Sequence, residues 1–110
     1  MSTRTPYQEE NEALPFDDLP GGDLIRQGLE DLRRGVESIP ALLVSSGAPR
    51  LRRLSLAVPA PDPREPLPEH RLYEYLANIH GDNAHSRYNA LVRRLVSFAR
   101  AAECARSDRA

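Results

Sequence analysis

The stretch Asp82 to Cys104 limits what this chain can fold into more than any other. It contains neither Gly nor Pro. Within it Ala84, Tyr88, Leu91, Leu95, Phe98 and Ala102 recur at spacings of three and four, and Val92 and Ala99 widen the stripe. That is the one-face pattern of a 3.6-residue period; the alternation of a strand fails here. Asp82 is placed to accept from the free amides of a first turn, and Gly81 to end the element before it. Arg87 and Arg94 flank the stripe, while Arg93 and Arg100 lie on the far side. Such a helix must bury its apolar stripe, because helices draw most of their stability from packing. Either the rest of the chain covers the stripe or a second copy does.

The preceding residues supply the cover. Asp23 is the expected cap of a first helix over 24–34, with Leu24, Ile25, Gly28, Leu29 and Leu32 on one face and Gly35 as its stop. Gly28 costs that helix about 1 kcal/mol relative to Ala; a close helix–helix approach would explain its presence. Ser38 caps a second helix to Ser46, Pro40 is tolerated in its first turn, and Gly47 ends it. Pro49 opens a short third segment carrying Leu51 and Leu54. Leu54, Leu56 and Val58 then alternate, which predicts an extended exit, but a lone short strand is no sheet. Prolines 59, 61, 63, 66 and 68 make a semi-rigid crossover. Pro68 starts a fourth helix to His80, with Leu72, Leu76 and Ile79 on its core side and Tyr73 alongside. Only one or two residues link it to the long helix, so the two are expected to pair as an antiparallel hairpin.

The predicted fold class is all-α: a small four- or five-helix bundle with a C-terminal antiparallel helical hairpin. Residues 1–20 read as a disordered acidic tail, 21–105 as the helical domain with the crossover 59–67 inside it, and 106–110 as a disordered C-terminus. Leu14, Phe16 and Leu19 interrupt the polar tail; they are read as touching their own domain, the alternative being a short docking motif.

Composition narrows the function classes. A chain of 110 residues with two Phe, four Tyr and no Trp can build only one small core, for which oligomerisation is a natural supplement. The formal net charge of -1 gives no global field for nucleic acid or an acidic membrane. The distribution is uneven, with an acidic first third and a mildly basic remainder. All basic residues are Arg, which fits a GC-rich, bacterial coding bias. A single cysteine, Cys104, excludes an intramolecular disulfide framework. No signal-peptide or membrane-spanning run is present, so the expected location is cytoplasmic.

Three constellations bear on chemistry. His80, Asp82 and His85 gather imidazoles and a carboxylate at one turn, a donor set that suits zinc. Their spacing straddles a helix break and matches no zinc signature, so no metal is assigned. Residues 38–54 resemble a helix-turn-helix whose Arg50, Arg52 and Arg53 would face phosphates or guanine edges. Leu43 and Arg53 occupy positions where that motif wants a small and an apolar residue. The third is the long helix as an interface, with Tyr88, Leu91, Leu95 and Phe98 at its centre and Arg87 and Arg94 at its rim. No nucleophile elbow, Walker loop, dinucleotide fingerprint or CxxC pair occurs. The expectation is a non-enzymatic, cofactor-free protein-interaction or accessory module, a homodimer through the long helix. The alternative is a small helix-turn-helix-like nucleic-acid-binding regulator.

Overall fold

The computed structural model describes residues 18–60 and 64–109, and the acidic tail up to residue 17 lies outside them. The described residues are mostly helical and contain no strand. Helix α1 is Gly22–Arg33, α2 Ile39–Ser46, α3 Ala48–Arg53, α4 Pro68–His80 and α5 Ala84–Arg109, with a 3-10 turn at Gly81–Asn83 between the last two. The all-α reading of the sequence holds.

Helix α1 begins earlier than its sequence suggests. Its cap is Gly21, at φ 73, and not Asp23. Asp23 stands in the first turn, where a carboxylate suits the positive end of the helix dipole. Its Oδ1 also lies 3.5 Å from Arg94 Nη2 on α5. Leu19, just ahead of the helix, packs against the core. The packed domain therefore reaches into what the sequence assigns to the tail.

The exit of α1 is tied to the entry of α2. Gly35 N donates to Leu32 O and Val36 N to Asp31 O, with Gly35 at φ 72. This is the paired-bond end that a left-handed glycine permits. Ser38 caps α2 as expected, accepting from Ala41 N at 3.1 Å. The same hydroxyl donates to Asp31 Oδ2 at 2.6 Å, and Gln27 Nε2 donates to Asp31 Oδ1 at 3.0 Å. Asp31 is the buried acid among the core residues. The Ser38 hydroxyl bond holds its carboxyl below the usual Asp range; Gln27 and Arg34 act the same way and burial opposes them.

Gly28 is where α1 meets α2. A Cβ built there would stand 2.4 Å from Pro40 O and 2.5 Å from Val44 Cγ2. The missing side chain lets the two helices approach, which offsets the propensity lost by placing Gly in a helix.

After α3 the structure departs from the extended exit that Leu54, Leu56 and Val58 suggest. Ser55 adopts φ 70, Ser55 N donates to Arg52 O and Leu56 N to Leu51 O. This repeats the α1 ending with Ser in the glycine's place. The alternating apolar residues instead mark a turn that folds back: Leu54 and Val58 are buried and Leu56 packs beside them. The Arg52 guanidinium holds the turn closed through Nη2 and Nε to Val58 O, at 2.9 and 3.3 Å.

Helix α5 is 26 residues long, twice α4. It continues to Arg109, past the end expected at 105. No Gly or Pro interrupts residues 101–109, and Ala, Glu and Arg favour continuation. Asp82 falls inside the 3-10 turn and is exposed. The centre of the α5 stripe is covered by its own chain. Leu95 reaches the α2–α3 junction, where a Cβ on Gly47 would meet Leu95 Cδ1 at 2.6 Å. Phe98 is fully enclosed and shares the core with Ile25, Leu43, Val44, Leu51, Leu72 and Leu76.

Candidate functional site

The interface expected on α5 divides in two. Leu95 is 6 % exposed and Phe98 0 %, so neither is offered to a partner; both belong to the intramolecular core. This corrects their reading as interface residues. Helices α4, α2 and α1 pack against α5 and cover the middle of the stripe. Tyr88 and Leu91 are half-buried at the edge of the core. Arg87 is exposed, and Arg94 is turned toward Asp23.

At the α4–α5 turn, His85 Nε2 faces Asn89 Nδ2 at 3.1 Å, a contact along the same helix. Its ring also lies near Tyr73 of α4, with centroids 6.5 Å apart, and Tyr73 in turn contacts Tyr88 at 5.6 Å. His80 ends α4 and Asp82 lies in the exposed turn. Among the described residues no three His, Cys, Asp or Glu side chains converge on a position where a metal ion would fit. Cys104 is exposed on α5.

Two arginines of α3 make contacts within the fold. Arg52 serves the Val58 carbonyl, and Arg50 Nε stands 3.9 Å from Glu103 Oε2 on α5. Helix α3 has six residues, under two turns, and its Leu51 is fully buried. Arg53 is exposed. Reading bases would require Arg52 to leave the turn it closes.

A different surface stands out, on α4. Its inner row, Pro68, Leu72 and Leu76, is buried as the spacing demands. The same spacing places Ile79 on that row, yet it is 58 % exposed. It sits in the last turn of α4. Tyr75, four residues before it, is 39 % exposed, and Leu67 at the start of the helix is 61 % exposed. Arg71, Tyr75 and Ile79 follow one another at intervals of four along α4, and Leu67 is the capping residue ahead of them. From Arg71 to Ile79 the row spans about 12 Å. The apolar positions of α4 are visible in the letters; what the letters do not state is that α5 and α2, packed on this helix, leave Tyr75 and Ile79 exposed.

Beside Arg71 the row borders a groove of about 350 Å³. Its floor and walls come from the end of α1 and the loop after it (Leu32, Val36), from α2 (Ala41, Leu42, Ser45) and from Pro68. Its rim is charged. Arg71 Nη2 contacts Glu37 Oε1 and lies 3.6 Å from Glu65 Oε1. Val36, 42 % exposed, adds an apolar edge. Sequence reasoning misses this site because its members come from three separate segments, none with a motif.

No helix among the described residues is long and apolar enough to cross a membrane. No protein-family model matches the chain, and no curated protein or solved structure shows significant similarity to it.

Proposed function

We propose that this chain is a non-enzymatic protein-interaction module that engages its partner through the outer row of α4. The observation that carries the reading is the exposure of Tyr75 and Ile79, four residues apart on α4, and of Leu67 at its cap, while the large apolar residues of α1, α2 and α3 are turned inward. Exposed apolar groups grouped along one element, with polar neighbours, suit a protein partner, and Tyr with Arg is the pairing common at interface centres. In this reading α4 and α5 act as an antiparallel hairpin. The first three helices close one side of it and the other side is left for recognition. The working environment is taken as the bacterial cytoplasm, and a second copy of the chain is one candidate partner.

The test is a double substitution, Tyr75→Glu with Ile79→Glu, in the full-length protein. Both positions are on the surface, so the far-UV circular dichroism should stay unchanged. Native mass spectrometry after purification from the native host then compares it with the parent. The expected outcome is loss of the bound partner, or of the dimer, in the double variant alone. Retention of the same complex by the variant would refute the assignment to α4.

A further inference from the structure

We infer that the groove beside Arg71 receives a basic–apolar segment of the partner protein: an Arg or Lys side chain at the Glu37–Glu65 rim, with an apolar neighbour on Leu42 and Pro68. This deepens the proposed function and rests on its claim that a protein docks against α4.

Charge is the first argument. Two carboxylates approach the same guanidinium nitrogen, Nη2 of Arg71, from two different segments. Of the charged residues that line the groove, Glu37 and Glu65 outnumber Arg71, so the lining carries one net negative charge. Both carboxylates are roughly half exposed, 40 % for Glu37 and 47 % for Glu65, and can accept from a second donor. A second cation at the rim balances that remaining charge, whereas an incoming carboxylate adds a third negative charge. Guanidinium suits the position because its planar fork can address two oxygens from different residues.

Shape is the second argument. The groove, at 350 Å³, lies at the small end of the volumes that ordinary ligand pockets occupy. Its lining beneath the charged rim is mostly aliphatic: Leu32, Ala41, Leu42 and Pro68. The stem of a long basic side chain can lie along such a surface with its head at the rim. Continuity is the third argument, and it favours a peptide over a free amine. Val36 gives the groove an exposed apolar edge, and the exposed Tyr75 and Ile79 follow Arg71 along α4. A small amine would leave that row untouched.

The probe is the tetrapeptide acetyl-Leu-Ala-Arg-Leu-amide, titrated into the ¹⁵N-labelled full-length protein and followed by amide chemical shifts. Three companions accompany it: the same peptide with citrulline for Arg, the same with Glu for Arg, and arginine amide alone. Saturable shifts at Gly35, Val36, Ser45 and Arg71 are expected with the Arg peptide. The citrulline peptide should bind about fivefold more weakly, the scale of a half-exposed ion pair. Glu37→Gln with Glu65→Gln, in a protein of unchanged circular dichroism, should cause a similar loss. Arginine amide should shift the rim amides far less than the peptide. Equal binding by the citrulline peptide, stronger binding by the Glu peptide or by arginine amide, or absence of saturation would each overturn the inference. So would a change at the same amides on Arg4→Ala without any peptide, because the groove would then hold the chain's own leading segment. These outcomes are separable from the wider reading: loss of the complex in the Tyr75, Ile79 variant together with an unresponsive groove sinks the groove alone.

Discussion

Replacing Gly28 by Ala sets two effects against each other. In an exposed helix the change should stabilise, because Ala favours the helix by about 1 kcal/mol over Gly. Here the new Cβ would stand 2.4 Å from Pro40 O, 2.9 Å from Pro40 C and 2.5 Å from Val44 Cγ2. Ordinary carbon contacts begin near 3.5 Å, so α1 and α2 must part by about 1 Å. Neither obstacle yields easily. The carbonyl is backbone, and Val44 is fully buried with a β-branched side chain that is stiff in a helix. Parting the helices also loosens Ile25 and Leu29 and stretches the 2.6 Å bond from Ser38 to Asp31. Overpacking of this kind costs about 1–3 kcal/mol, and the upper end applies when the neighbours cannot rotate away. After subtracting the helix gain, a net loss of about 2 kcal/mol remains. Urea unfolding followed at 222 nm measures it: the midpoint should fall while the slope stays constant. The thermal midpoint should drop by about 10 °C. Arg93→Ala, an exposed change on α5, is the control and should stay within about 0.5 kcal/mol of the parent. A Gly28→Ala protein as stable as the parent, or more so, would show that the helices do not meet at this residue.

Leu95→Ala should cost about 2–5 kcal/mol, because the side chain fills the space left by Gly47 and cannot be replaced there; an unchanged unfolding midpoint would place it outside the core. Ser55→Gly should stabilise by about 1 kcal/mol, since a left-handed conformation costs an L-residue that much, while Gly35→Ala should lose about as much at an equally left-handed but uncrowded site; both are read by the same urea titration. Asp31 binds its proton less readily folded than unfolded. Its contribution is therefore complete above its ordinary value of 3.8 and lost as pH falls through the lower folded value. The stability gap between the parent and Asp31→Asn should accordingly be constant from neutral pH to about pH 4 and narrow below it; a gap that widens on acidification refutes the sign.

Much of the framework can be read from single letters. Ser38, Gly35, Gly47, Pro68 and Gly81 each begin or end a helix near the residue expected, because caps and stops depend on one residue's own donors and dihedrals. Gly28 is legible for a related reason: a glycine in an apolar helical face needs a packing partner. The misreadings concern what lies opposite. Asp23 looks like a cap until Gly21 takes that place and Arg94 faces its carboxylate. Leu54, Leu56 and Val58 alternate like a strand, but Ser55 turns the chain between them. Ile79 carries the period of the α4 core row, and only the position of the neighbouring helices leaves it in solvent. Leu95 and Phe98 could have met a partner; what encloses them is the fit of α4, α2 and α1 against α5, which depends on three-dimensional packing. The groove at Arg71 joins residues 37, 65 and 71, and no spacing rule brings those together.

The clasp between Asp31 and Ser38 also has a meaning in time. Its partners are seven residues apart in the chain, so closing the loop between them takes little entropy. The joint from α1 into α2 can thus form early, from contacts that need no help from the distant helix. Phe98, in contrast, must find Ile25 and Leu43 across more than fifty residues and the proline-rich crossover. In rate terms, substitutions at Ser38 should chiefly slow folding, and substitutions at Phe98 should chiefly hasten unfolding. The long helix that dominates the sequence is then the last piece to dock, and the short clasp far from it prepares the surface on which it lands.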